Sequence, residues 1–239
     1  MSSPTMMPMS LEEIAQAVQG RLIAGTAAID TPVATSTFTD SRQIVEGSVV
    51  VAIAGERVDG HDYVSKVGAQ GAVAAIVDHE IDGAGVPQIV VEDTVLALGA
   101  LAKHNIERRR ALETPFTVIG ITGSVGKTTT KDLMKALLAH IGPTIAPVGS
   151  FNNEIGLPLT SLKVHAETRF LVAELGANHV GEIANLTSLV PPDIAVVLKV
   201  GVAHLGEFGS PERIAQAKSE IIRGLVPGGL SVLNANDEH

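Results

Sequence analysis

The 239-residue chain contains no cysteine. That absence excludes disulfides, thiolate zinc sites and a cysteine nucleophile. Tryptophan is also missing, and five Phe with one Tyr are the only aromatics. The core must therefore be built from Ala, Val, Ile and Leu. The closest pair of histidines in sequence, His165 and His179, is too far apart for a compact HxxxH metal motif. Basic residues are scarce against acidic ones, 17 to 26, for a formal charge of −9. A nucleic-acid partner, which would need a basic footprint, is not expected. The one basic run, Arg108 to Arg110, closes a predicted helix, and cations complementing the helix C-terminal dipole are the expected reading. No apolar stretch is long enough to span a bilayer, and Met1 to Met9 lacks the basic-then-apolar order of a signal peptide. A soluble cytoplasmic protein without membrane insertion is expected.

What is present is a globular composition, 45% hydrophobic and 18% charged, in a length suited to one or two domains. Ser10 and Glu13 have capping-box spacing, and Leu11, Ile14 and Val18 continue a helix up to Gly20. Strand-like runs follow at Arg21–Ala24, Val33–Phe38, Ser48–Ile53, Ala72–Val77 and Gln88–Val91, with a weak helix near Asp62–Ala69. Val95, Leu98, Ala102 and Ile106 share one helical face. Polar residues and Pro115 then break the pattern, which predicts a boundary near residues 111–115, between a first domain 1–113 and a second 114–239.

The second domain alternates more regularly. Strands are predicted at Phe116–Ile121, Thr144–Ala146, Arg169–Leu175, Ile194–Val200 and Leu230–Leu233. Helices are predicted at Lys127–His140, Ile155–Leu162, Gly181–Leu189 and Pro211–Leu225. Such alternation predicts an α/β protein with a parallel sheet covered on both faces.

Between the first strand and helix of that domain lies Thr122-Gly123-Ser124-Val125-Gly126-Lys127-Thr128-Thr129. Glycines let backbone N–H groups approach phosphate oxygens, the helix N-terminus adds positive potential, and Lys127 can neutralise the β/γ-phosphates. The Thr128 hydroxyl is placed to hold Mg²⁺. Ile121 stands where the first Gly of the standard phosphate loop belongs, so this is a shorter variant.

In parallel sheets ligands bind at the carboxyl ends of the strands. Glu174 falls at such an end, inside the apolar run from Phe170 to Leu175, where a carboxylate is costly unless it is salt-bridged or bound to a metal. His204 follows the next strand and could be a packed histidine or a ligand. Lys218 lies mid-face on a helix whose apolar positions are Ile214, Ala217, Ile221, Ile222 and Leu225. It is either a snorkelling lysine or a desolvated one with a depressed pKa and a reactive neutral amine.

These motifs together resemble the Mur ligases of peptidoglycan synthesis, and within them the MurF-type branch. Residues Thr39–Arg42 and Gly55–Tyr63 are similar to the UDP-binding first domain of that family, and Thr122–Thr128 to its ATP loop. Asn152–Pro158, Glu174–His179 and Ala203–Ser210 resemble the branch itself. The resemblance implies a small mixed α/β UDP-binding domain followed by an incomplete P-loop-type parallel-sheet ATPase domain. It implies an ATP-dependent amide ligase that joins D-alanyl-D-alanine to UDP-N-acetylmuramoyl-tripeptide through an acyl phosphate, with ATP and Mg²⁺ as cofactors. Ser41, Arg42, Arg57 and His61 would face the UDP moiety, and Asn152, Asn153 and Glu154 would lie near the sugar and phosphates. Thr128, Glu174, His204 and a carbamylated Lys218 would organise Mg²⁺. Lys199 and Gly206 depart from the family's pattern around that metal. The chain stops at Asn234–Asp237, before such a sheet is expected to finish, so the resemblance reads it as truncated, without the amino-acid-binding C-terminal domain, and as a monomer. Alternatives are a Mur-type ligase adding a single amino acid, a folate-polyglutamate type ligase, against which the muramoyl-type first domain speaks, and a non-catalytic nucleotide-sugar-binding module.

Overall fold

A computed structural model describes residues 6–25, 27–31, 33–201 and 205–238. The chain forms two compact units. The first runs up to Arg109 and includes Leu162–Ala166; the second takes Arg110–Ser161 and the residues from Glu167 onward.

The first unit opens with α1 (Leu11–Ala17), whose start is fixed as expected by the Ser10 hydroxyl accepting from the Glu13 N–H at 3.1 Å. Its sheet holds β1 (Arg21–Ile23), β2 (Ser36–Phe38), β3 (Ser48–Val51), β4 (Ala72–Val77) and β5 (Gln88–Val90) in the order β1-β5-β4-β3-β2. Only the β1–β5 pair is antiparallel, so the sheet is mixed. The weak helix expected at Asp62–Ala69 is broken into a 3-10 turn (Gly60–Tyr63), one turn of α2 (Val64–Val67) and a second 3-10 turn (Gly68–Gln70). Gly71, at φ 106°, ends it in a conformation that side chains rarely adopt.

The last helix of this unit, α3 (Thr94–Arg110), buries Ala97, Leu98, Leu101, Ala102 and Ile106. Asn105 is fully buried on the same face. Its amide donates to the Val164 carbonyl at 2.9 Å and accepts from the Met7 N–H at 3.1 Å. The basic run closes α3 as expected and also makes tertiary contacts. Arg108 donates to the Pro8 carbonyl and pairs with Glu13, and Arg109 is 1% exposed. Arg110 binds the Pro191 carbonyl and the Asp193 carboxylate. The Arg108 and Arg110 guanidiniums thus have tertiary partners that α3 alone could not reveal.

The second unit contains β6 (Thr117–Thr122), α4 (Lys127–Leu138), β7 (Thr144–Ile145), α5 (Gly156–Ser161), β8 (Phe170–Glu174), α6 (Glu182–Leu189), β9 (Ile194–Val197), α7 (Leu205–Phe208), α8 (Pro211–Arg223) and β10 (Leu230–Leu233). All pairs are parallel, in the order β10-β9-β6-β8-β7. Ile119 and Ile121 of β6 pack with Met134 and Leu138 of α4. Gly120 faces the other way, and a Cβ there would lie 3.2 Å from Ile221 of α8, Leu175 and Pro192. Helices therefore cover both faces, as the alternation predicts. The chain leaves β6 toward β7 on one side, while β9 lies on the other. The turn after β6 thus sits at the point where the strand order reverses, where such sheets bind ligands. Short α7 was not foreseen. At the sheet edge, β10 exposes Leu230, Val232 and Leu233.

Candidate active site

The turn after β6 is held open by its glycines and tied down by its backbone. Gly123 has φ 151° and Gly126, which precedes α4, has φ 85°; both lie in the region that favours glycine. The Ser124 N–H donates to the Lys199 carbonyl at 2.8 Å, and the Ser124 hydroxyl accepts from the Gly201 N–H at 2.9 Å. The Thr122 hydroxyl donates to the Leu175 carbonyl. Lys199 thus serves the turn through its main chain, while its side chain is exposed. A departure from the family residue at 199 leaves that contact intact. Gly206 is likewise exposed.

Lys127, at the first position of α4, folds back so that its ammonium donates to the Gly123 carbonyl at 2.8 Å. Burial pushes its pKa down, and the charge of Glu174 opposes the shift. Glu174, at the end of β8, is 1% exposed. Its two oxygens accept from the Thr128 hydroxyl at 3.1 Å and from the Asn152 amide at 2.9 Å. Among the described residues it makes no ion pair, so the salt-bridge reading of this carboxylate does not hold. Both of its donors are neutral side chains.

A cavity of about 500 Å³ opens beside this cluster. Lys127, Asn152, Asn153, Glu154, Asn178, Glu182 and Lys218 line it. Asn152 is positioned by its own carbonyl, which accepts from the Gly176 N–H, and Asn153 caps α5 through the Gly156 N–H. Lys218 is 3% exposed, on the buried side of α8 with Ile214, Ala217 and Ile221, its ammonium 5.7 Å from the centre of the Phe208 ring. Burial lowers its pKa from 10.5 to about 8, with the charge of Lys127 adding to the shift. Of the two readings that periodicity leaves open, the desolvated lysine is the one the structure supports. His204 lies outside the described residues.

Several participants carry no conspicuous sequence signal. Glu182 enters the cavity one residue after Gly181, where a polar run following a strand end was the available hint. Glu220 is buried because its carboxylate accepts from the Gly181 and Ala184 N–H groups at the start of α6. Lys131, 1% exposed, donates to the Pro147 and Gly149 carbonyls and so holds the loop that delivers Asn152.

In the first unit a second cavity, of about 460 Å³, is lined by residues that include Thr39, Asp40, Ser41, Arg42, Gly60 and Tyr63. Asp40 caps the 3-10 turn Ser41–Gln43 and grips the Arg42 guanidinium at 2.7–3.2 Å. That pairing holds the Asp40 carboxyl at about 2. Ser41 and Arg42 thus sit together at this cavity. Arg57 is exposed and does not line it. His61 does not line it either; its ring is buried against Asp59 and Asp78.

Two family models match the chain: the Mur ligase middle domain over residues 121–239, and the catalytic domain of the Mur ligase family over residues 35–106. This chain belongs to the Mur ligase family. Its curated relatives are of the MurF type. The UDP-N-acetylmuramoyl-tripeptide–D-alanyl-D-alanine ligase of Haemophilus influenzae is 41% identical, covering 98% of this chain and 50% of its own length. The Mycobacterium tuberculosis ligase of the same name is 45% identical, over 83% of this chain and 42% of its own. Among solved structures, a MurF from Acinetobacter baumannii superposes with a TM-score of 0.86 at 40% identity, over 99% of this chain and 50% of that one. MurF ligase from Thermotoga maritima, solved with ADP, gives 0.74 at 36% identity, over 85% and 46%. The chain spans about half the length of the curated relatives it matches.

Proposed function

We propose that the chain carries the UDP-sugar-binding and ATP-binding parts of a cytoplasmic, monomeric ATP-dependent ligase. In this reading residues 1–113 take UDP-N-acetylmuramoyl-tripeptide and residues 114–239 take ATP. The reaction joins D-alanyl-D-alanine to the tripeptide for peptidoglycan precursor synthesis. The observation that carries the reading is the buried Glu174, bound to Thr128 at the start of α4 and to Asn152, which lines a polar cavity together with Lys127 and Lys218.

The donors fit Mg²⁺, a hard cation that prefers oxygen ligands. Thr128 and Glu174 would hold it, with Lys218 joining them once carbamylated and His204 as the further candidate. When bound, it would neutralise phosphate charge during transfer. The chain's own part is positioning. Backbone N–H groups of the turn after β6, other than that of Ser124, which is held by Lys199, would cradle the phosphates. Lys127 would release Gly123 and turn its ammonium to the transferring group. Asn152, Asn153 and Glu154 would orient the sugar end of the precursor, so that its terminal carboxylate meets the phosphoryl group and becomes an acyl phosphate. Attack by the dipeptide amine then forms the amide and expels phosphate. Alignment of this kind can supply about 7–11 kcal/mol of a barrier.

Calorimetry on the chain tests the site assignment. Mg-dependent binding of a non-hydrolysable ATP analogue should be lost in Lys127→Met, while binding of UDP-muramoyl-tripeptide persists. Unchanged nucleotide affinity in that variant would remove the phosphate-loop assignment. Phosphate release by the complete gene product, with D-alanyl-D-alanine compared with single amino acids, separates this ligase from its single-residue-adding siblings.

A further inference from the structure

One cluster of metal-type ligands lies apart from the ATP-site residues, in the first unit. We propose that His61, Asp78 and His79 bind a late first-row divalent cation of the Zn²⁺ type. The inference is independent of the ligase reading.

The residues come from two segments. His61 sits in the 3-10 turn Gly60–Tyr63, and Asp78 and His79 directly follow β4. One ligand atom from each lies within 4.8 Å of the others. Asp78 Oδ1 is 2.5 Å from His79 Nδ1 and 3.2 Å from His61 Nε2, and the two imidazoles stack with centroids 4.9 Å apart.

The second observation is how His61 is locked. Its side chain is 5% exposed, and Nδ1 lies 2.6 Å from Asp59 Oδ1. A carboxylate on Nδ1 selects the tautomer with the proton there, as metal-binding histidines commonly use. The Nε2 lone pair is then directed at Asp78. It accepts the Asp78 N–H at 3.2 Å, yet it also faces Asp78 Oδ1 at the same distance. A cation binding here would take the Nε2 lone pair in place of that long Asp78 N–H contact. Bonds of about 2.0–2.2 Å in a tetrahedral site put ligand atoms about 3.3 Å apart. The His61–Asp78 separation already matches, and the Asp78–His79 pair would open from 2.5 Å. The His79 side chain is 64% exposed and free to move, and Asp78 is 40% exposed, which leaves the fourth position to water. Two imidazoles with one carboxylate favour zinc, nickel or copper over Mg²⁺.

A cation here would tie the end of β4 to the turn that contributes Gly60 and Tyr63 to the first unit's cavity. The test is equilibrium dialysis of the chain against Zn²⁺ in excess Mg²⁺, beside His79→Ala and Asp78→Asn. Both substitutions are at partly exposed side chains, and circular dichroism checks that each variant stays folded. His61 is left intact because it is buried. We expect one zinc bound by the wild type, an increased melting temperature, and affinity at least about tenfold weaker in each variant. No zinc uptake by the wild type would overturn the proposal. Equal binding by the folded variants would also overturn it.

Discussion

Lys218 makes a quantitative prediction about pH and stability. Its folded pKa is about 8 against 10.5 for the free side chain, the shift arising first from burial and then from Lys127. The charged form is therefore disfavoured in the fold. Above pH 10.5 both folded and unfolded states carry a neutral amine, and the residue costs nothing. Between 10.5 and 8 the unfolded chain takes up a proton that the folded chain refuses, so stability falls as pH falls. Below 8 the full cost remains, about 3 kcal/mol at 1.36 kcal/mol per pH unit. Lys218→Met keeps an unbranched side chain of similar length and removes the charge. It forgoes the contact with Phe208, about 0.5–1 kcal/mol. The variant should thus be more stable than wild type at pH 7 by about 2 kcal/mol, and the advantage should vanish by about pH 10.5. Urea unfolding in CO₂-free buffer, followed by circular dichroism from pH 7 to 10.5, measures the difference between the two chains, in which titrating groups that do not interact with Lys218 cancel. A variant less stable than wild type at pH 7, or a difference that does not change with pH, would refute the buried-charge account.

Further outcomes test the second unit's chemistry and the first unit's packing. The neutral Lys218 amine should add to CO₂, forming an N–C bond and releasing one proton; ¹³C-bicarbonate with Mg²⁺ should give a carbamate resonance that Lys218→Met lacks, and its absence from the wild type would count against carbamylation. Asn105→Leu removes the partners of the Met7 N–H and the Val164 carbonyl, so it should cost about 2–4 kcal/mol in urea unfolding. A cost below about 1 kcal/mol would mean that Asn105 does not anchor Leu162–Ala166.

Most elements of this fold, and part of its candidate site, were legible in the sequence because their signals are local. The cap at Ser10, the alternation of β6 to β10 with intervening helices, and the glycines before Lys127 depend on residues within one or two turns of each other. Glu174 stood out as a carboxylate in an apolar run, and Lys218 as a cation on an apolar helix face. Sequence left open what each was doing there, since the answer needs a partner from another segment. Thr128 and Asn152, 46 and 22 residues away, satisfy Glu174. Folding also decided the destinations of Arg108 to Arg110 and of Leu162–Ala166, which joins the first unit from within the second. The pairing of His61 with Asp78 was invisible for the same reason: hydrophobic period and turn chemistry specify where a helix or strand forms, but only packing brings side chains from distant segments within hydrogen-bond reach.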